Sequence, residues 1–212
     1  NTTSYPNTGL SANTTYYYVV RATNSGGASA NSAQASATTL PFPPSAPGGL
    51  SATAVSSSQI NLSWTDNSPN ETSFTVSRST TSGSGYTDIA TLAANTTSYS
   101  STNLTANTAY YYVVRAGNAG GNSPNSNQAS DTTFPLVPNA PGDLSASAIR
   151  STRIDLTWTD NSSNESNFIL ARSTAQGGPY TDIATLAANT TSYSNTSLAT
   201  NTTYYYVVRA TN

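Results

Sequence analysis

The chain has 212 residues, with nine acidic side chains against seven arginines and no lysine, histidine or cysteine. A formal charge of −2 gives no electrostatic reason to expect nucleic acid or an anionic membrane surface as partner. Lack of His and Cys excludes a Ser-His-Asp triad, a thiol nucleophile, thiolate metal sites and disulfides, and no apolar run reaches the roughly 18 residues of a membrane-spanning helix.

Ser, Thr and Asn make up 93 of the 212 residues, a polar excess that on its own would suggest disorder. Disordered chains, however, lack the aromatic and β-branched residues needed to bury a core. Here Trp, Tyr, Val, Ile and Leu return at fixed places. The hydroxyl-rich residues then read as the solvent face of strands and the turns between them.

In chain order, the first element is a 24-residue stretch from Asn1 to Asn24 that recurs at Asn95–Asn118 and Asn189–Asn212. Each copy centres on a triple tyrosine followed by Val-Val-Arg-Ala, whose aromatic and β-branched content favours a strand. In the middle copy Leu104, Thr108, Tyr110, Tyr112, Val114 and Ala116 share one parity, which a strand turns toward the core. Tyr111, Val113 and Arg115 take the other face. A shift of 94 residues superposes the chain on itself without a gap, bringing Trp64 onto Trp158 and Tyr86 onto Tyr180. A period this long, each copy with several strand signals and its own Trp, reads as tandem domains rather than a solenoid.

Two Pro-rich stretches divide the chain, and their prolines remove ladder donors and favour extended geometry. The organisation expected is a partial domain over 1–40 holding the last three strands, a stiff linker over 41–46, a complete domain over 47–134, a second linker over 135–140, and over 141–212 a domain lacking its last strand. Within the middle domain the pattern predicts seven strands: 50–55, 59–65, 73–79, 86–92, 97–100, 108–118 and 127–132. Seven short strands separated by turn signals predict an all-β, seven-stranded antiparallel sandwich. Ile60, Leu62 and Trp64 alternate inward, as do Phe74 and Val76. At about 1.5–3 kcal/mol for each fully buried side chain, seven or eight of them sustain a domain of this size.

These residues resemble the fibronectin type III module of the variety found in secreted bacterial proteins. The resemblance rests on Leu104, Thr108, Tyr110, Tyr112, Val114, Ala116 and Asn118 in the repeat strand, on Trp64, on the opening Pro47-Gly-Gly-Leu50, and on the loop Trp64–Glu71 with Phe74 and Arg78. The loop recurs as Trp158–Glu165 with Phe168 and Arg172. The resemblance implies tandem immunoglobulin-like sandwiches in an extended array, with Tyr110 as the corner tyrosine bonding to backbone near Leu104, and Tyr16 and Tyr204 as its counterparts. Ala106 stands where the family often has proline, which implies a looser turn. An odd strand count puts entry and exit at opposite poles, so the copies are expected to string into a rod, and the incomplete outer domains suggest a window on a longer array.

Catalysis would have to rest on carboxylates alone. Asp66 with Glu71, and Asp160 with Glu165, lie five residues apart in one loop, whereas a glycosidase needs two carboxyls facing across a cleft. Asx-type turns at Asp66 and Asn67, with Glu71 within reach of Arg78, are the plainer expectation. The oxygens of Asp66, Asn70 and Glu71, and of Asp160 and Glu165, are also weak candidates for calcium, without the spacing of an EF-hand loop. Outward Tyr17, Tyr111 and Tyr205 could stack sugars or a neighbouring chain, or simply cover cross-strand neighbours. Sequons occur at Asn1, Asn13, Asn61, Asn70, Asn95, Asn103, Asn161, Asn164, Asn189, Asn195 and Asn201, with Asn95 and Asn189 heading the repeat as candidate glycan sites.

The expectation is a non-enzymatic extracellular structural protein forming a rod or filament. Its partners would be copies of itself and surface glycans, with no cofactor, no nucleic acid and no membrane insertion. The alternative is a spacer or accessory region of a large secreted carbohydrate-active enzyme or adhesin.

Overall fold

A computed structural model describes residues 2–212 and is built of strands, with no helix among the described residues. Two compact units divide the chain, 1–134 and 135–212. The sequon at Asn1 lies outside the described residues.

The complete sandwich sits in the first unit. One sheet contains β5 (Gly48–Ser56), β6 (Gln59–Thr65) and β9 (Ser98–Ser101), in the order β5-β6-β9. The other is built on β7 (Ser73–Ser79), β8 (Thr87–Ala93) and β10 (Ala109–Asn118), with the short β11 (Gly121–Asn122) and with β12 (Ala129–Thr132) pairing β10. All these pairings are antiparallel. The period-2 alternation decides which side chains go inside. Ile60, Leu62 and Trp64 face Phe74, Val76, Tyr110, Tyr112, Val114 and Ala116 across the two layers, with Leu50 and Leu104 closing the ends. Trp64 and Phe74 meet with ring centroids 5.9 Å apart, tilted by 57°, within the range that aromatic pairs favour.

One residue departs from the parity rule. Val113 lies on the outward set yet is only 6% exposed, because β10 is an interior strand flanked by β7 and β12. Its counterpart Val207, on a strand paired with one neighbour only, is 38% exposed.

Ahead of the sandwich, β1 (Thr15–Tyr18) pairs with β4 (Ala35–Thr38), and β2 (Thr23–Asn24) forms a tight hairpin with β3 (Gly27–Ala28). Of the three strands expected in 1–40, two form. Residues 4–7, which correspond to β9, carry no strand, since β9 is held by β6 and the segment contains no counterpart of β6.

The second unit repeats the arrangement with β13 (Gly142–Arg150), β14 (Arg153–Thr159) and β17 (Ser192–Asn195) in one sheet. β15 (Asn167–Ser173), β16 (Thr181–Ala187) and β18 (Tyr205–Thr211) form the other. Trp158 and Phe168 reproduce the 5.9 Å, 57° contact. In the first unit the Asn127 side chain accepts from Leu50 N (3.0 Å) and donates to Leu50 O (2.9 Å), while Asp131 takes Ala54 N at 2.7 Å. That segment covers β5, and Leu50 is 5% exposed where Leu144 is 36% exposed.

Candidate functional site

The loop after β6 starts at Asp66, whose Oδ1 accepts from Ser68 N at 3.0 Å, a local Asx turn. Ser68 Oγ donates to Asn70 Oδ1 (2.8 Å), and the other end of that amide donates to Phe42 O (3.1 Å). Glu71 is buried at 8% exposure and accepts from Asn95 N at 3.2 Å, so it fastens the turn after β8 instead of pairing with Arg78. Arg78 lies 5.2 Å over the Tyr110 ring and donates to Ser101 Oγ. Burial pushes the Glu71 carboxyl up, but backbone N–H groups of Glu71 and Asn95, with the Ser68 and Asp66 side chains, outweigh it and hold it below the usual range. The 94-residue copy repeats each part: Asp160 with Ser162 N (3.0 Å), Ser162 with Asn164 (2.9 Å), and Glu165 with Asn189 N (3.2 Å).

This geometry spends most of the oxygens a cation would need on the protein's own backbone. Asp66, Asn70 and Glu71 serve turns and a linker carbonyl, and Glu71 Oε2 is sealed from solvent. Among the described residues no three His, Cys, Asp or Glu side chains converge. The same sealing removes Glu71 as a partner for Asp66 in acid–base chemistry, which needs both carboxyls open to substrate.

On the outer face of β10, Tyr111 is half-buried and lies between Ser79 of β7 and Ser130 of β12. Four residues on, Arg115 grips Asp88 with two N–H groups, at 3.0 and 2.6 Å, and Ser77 Oγ donates to the same carboxylate. Hydrogen bonds from Arg115 and then Ser77 hold Asp88 below its ordinary value. The face is therefore a hydroxyl-lined strip with one aromatic ring and one exposed ion pair. Tyr205 sits across from Ser173, with Arg209 gripping Asp182 at 2.7 Å. Asn95 and Asn189 are exposed at turns with φ near 60°. Their place in the left-handed region gives Asn a conformational reason to be there.

The corner tyrosines are placed alike in all three copies. Tyr110 Oη accepts from Thr105 N (3.0 Å), Tyr16 Oη from Ser11 N (2.9 Å) and Tyr204 Oη from Ala199 N (3.1 Å). Several polar residues with structural roles escaped the sequence reading. Gln128 takes Gly83 N and the Tyr86 hydroxyl and donates to Ser82. Asn118 and Asn212 reach back to linker carbonyls. The only sequence signal for these two is that they close the repeated stretch.

The description fibronectin type III domain matches residues 45–132 and 139–212. The chain belongs to the fibronectin type III family. Across 99% of its length it is 32% identical to exoglucanase B of Cellulomonas fimi, and it spans about a fifth of that relative (20%). Among solved structures, it is similar to the FN1–FN3 domains of chicken CNTN1 (19% identity, 96% of this chain and 72% of that one, TM-score 0.43). A two-domain fibronectin type III segment of chicken tenascin shares 16% identity over 78% of this chain and 91% of that one, at TM-score 0.42. As a fibronectin type III chain, its tandem sandwiches account for the Trp, the corner Tyr and the Pro-rich punctuation together.

Proposed function

We propose that this fibronectin type III chain is a non-catalytic accessory region of an extracellular carbohydrate-active enzyme, spacing or presenting a catalytic module encoded elsewhere in the same protein. The observation that carries the reading is the alignment of nearly the whole chain with one fifth of an exoglucanase. It favours the second of the two expectations drawn from sequence over a self-assembling structural filament. The side chains support it, since His and Cys are absent and the nearest carboxyl pair is half sealed. Surface glycans are the partner class, with Tyr111 beside the Arg115–Asp88 pair as the place where a sugar ring would lie on an aromatic face. The test is deletion of residues 41–212 from the full-length protein. Hydrolysis of a soluble oligosaccharide should persist while hydrolysis of insoluble polysaccharide falls. A full-length protein that consists only of further repeats and hydrolyses neither substrate would overturn the reading.

A further inference from the structure

Among the described residues ten asparagines head Asn-x-Ser/Thr triplets, and the fold sorts their side chains into two groups. In the first group the side chain is already engaged. Asn70 Nδ2 donates to Phe42 O at 3.1 Å, Asn161 Nδ2 to Ala140 O at 3.2 Å, and Asn164 Nδ2 to Leu136 O. Asn195 is only 6% exposed and donates to Tyr206 Oη. Asn61 lies within β6, the middle strand of its sheet, where its Oδ1 accepts from Gln59 Nε2 (2.8 Å) and Ser100 Oγ (2.9 Å).

The second group is Asn13, Asn95, Asn103, Asn189 and Asn201. All five are exposed at turns, with φ between 51° and 62°, and their side-chain amides make no hydrogen bond among the described residues. Left-handed geometry favours Asn at such places but says nothing of the residue two further on. That residue is Thr in every case: Thr15, Thr97, Thr105, Thr191 and Thr203. Thr15 Oγ1 meets Thr38 Oγ1 at 2.8 Å, whereas the other four are exposed and their hydroxyls have no partner among the described residues.

The 94-residue repeat separates the turn from the triplet. At 9, 103 and 197 the same left-handed turn is made by Gly, Asn and Ser, so the backbone there does not demand asparagine. At 13, 107 and 201 asparagine recurs with φ between 50° and 52°. The middle copy, however, has Ala109 where the others have Thr15 and Thr203.

An asparagine followed by x-Thr is the acceptor pattern for an N-linked glycan. In that transfer the amide nitrogen attacks the anomeric carbon of a sugar carried as a lipid diphosphate. The N–C bond forms as the C–O bond to the diphosphate breaks, the diphosphate leaves with the electron pair, and one amide proton passes to the transferase. A bulky group on a buried amide, or on one that holds a linker carbonyl, would displace the contacts around it. On an exposed turn it displaces nothing.

We infer that Asn13, Asn95, Asn103, Asn189 and Asn201 are acceptor sites for N-linked glycans, and that the fold closes the other five. The inference rests on the extracellular part of the function proposed above and on no role in hydrolysis.

Peptide mass mapping of the secreted full-length protein tests it, with glycopeptides fragmented before and after amidase release in heavy-oxygen water. Release leaves a labelled aspartate at each occupied asparagine. Among these ten positions, label confined to the open five is expected, at whatever occupancy. Ala109→Thr, in protein from the same source, should add one glycan at Asn107, which already has the turn and the exposure. Label at Asn61, Asn70, Asn161, Asn164 or Asn195, no glycan on any of the five, or no gain at Asn107 would overturn the inference. Peptides report the glycans directly, so the result is read separately from whether the protein hydrolyses polysaccharide.

Discussion

At the scale of single residues, the two units differ in ways that test the account. Tyr112 is fully buried, its hydroxyl finds no hydrogen bond of good geometry among the described residues, and burial pushes its ionisation up against the weaker opposing pull of Ser101. Its counterpart Tyr206 receives a hydrogen bond from Asn195 Nδ2 at 3.0 Å, because Asn195 stands where the first unit has Ser101. An unsatisfied buried hydroxyl costs more than it contributes, whereas a satisfied one contributes about 1 kcal/mol. Tyr112→Phe is therefore expected to leave stability unchanged or raise it, while Tyr206→Phe costs about 1 kcal/mol. Chemical denaturation of each variant measures both.

Glu71 supplies a pH test. Its carboxyl is held below the usual range in the folded chain, so the unfolded chain binds the proton more readily. Its contribution is present above the unfolded pKa of about 4.3 and is lost as pH falls through the lower folded value. Stability should thus decline on acidification below about pH 4.3, and less steeply in Glu71→Gln. Denaturant midpoints taken across this range check the difference in slope. Asparagine has a conformational reason at many turns: among the described residues, six of the eight non-glycine residues with positive φ are Asn, the residue that adopts that conformation most readily after glycine. Five of those six, Asn13, Asn95, Asn103, Asn189 and Asn201, also head sequons, so turn geometry accounts for the asparagine at these five of the eleven sequons.

At the scale of elements, alternation carried most of the information. Seven strands expected between 47 and 134 appear with ends shifted by a few residues, because Trp, Phe, Tyr and Ile repeat at period 2 on interior strands where burial leaves one choice of face. The strand over residues 4–7 did not form, since a strand needs a neighbour as well as a pattern. Sequence could not reveal the bonds from asparagine side chains to linker carbonyls, or those of Gln128. A side-chain amide has no periodicity, and its partner is a backbone carbonyl or amide many positions away. Gly120 is the residue where the first Pro-rich stretch meets the β10–β11 hairpin. Gly120→Ala drives a methyl into Pro41 O, and a core-like overlap of this kind costs about 1–3 kcal/mol. The loss should show as a lower melting temperature, and it should shrink when residues 41–43 are deleted together with the substitution.

At the scale of the whole molecule, the account rests on each sandwich being closed around its own tryptophan. Trp64 and Trp158 pack against Phe74 and Phe168 in the same geometry, and each unit has its own core. The surface ion pairs, Arg115–Asp88, Arg209–Asp182 and Arg153–Asp155, are exposed enough to solvent screening to contribute little. Stability therefore comes from packing within a unit. The most direct measurement is thermal unfolding of the isolated 41–134 fragment, followed by Trp64 fluorescence, beside a fragment trimmed to 47–134. A single cooperative transition for 41–134, at the temperature where Trp64 reports unfolding in the 212-residue chain carrying Trp158→Phe, with a lower midpoint for 47–134, is the predicted result. A 41–134 fragment without a cooperative transition would contradict the account.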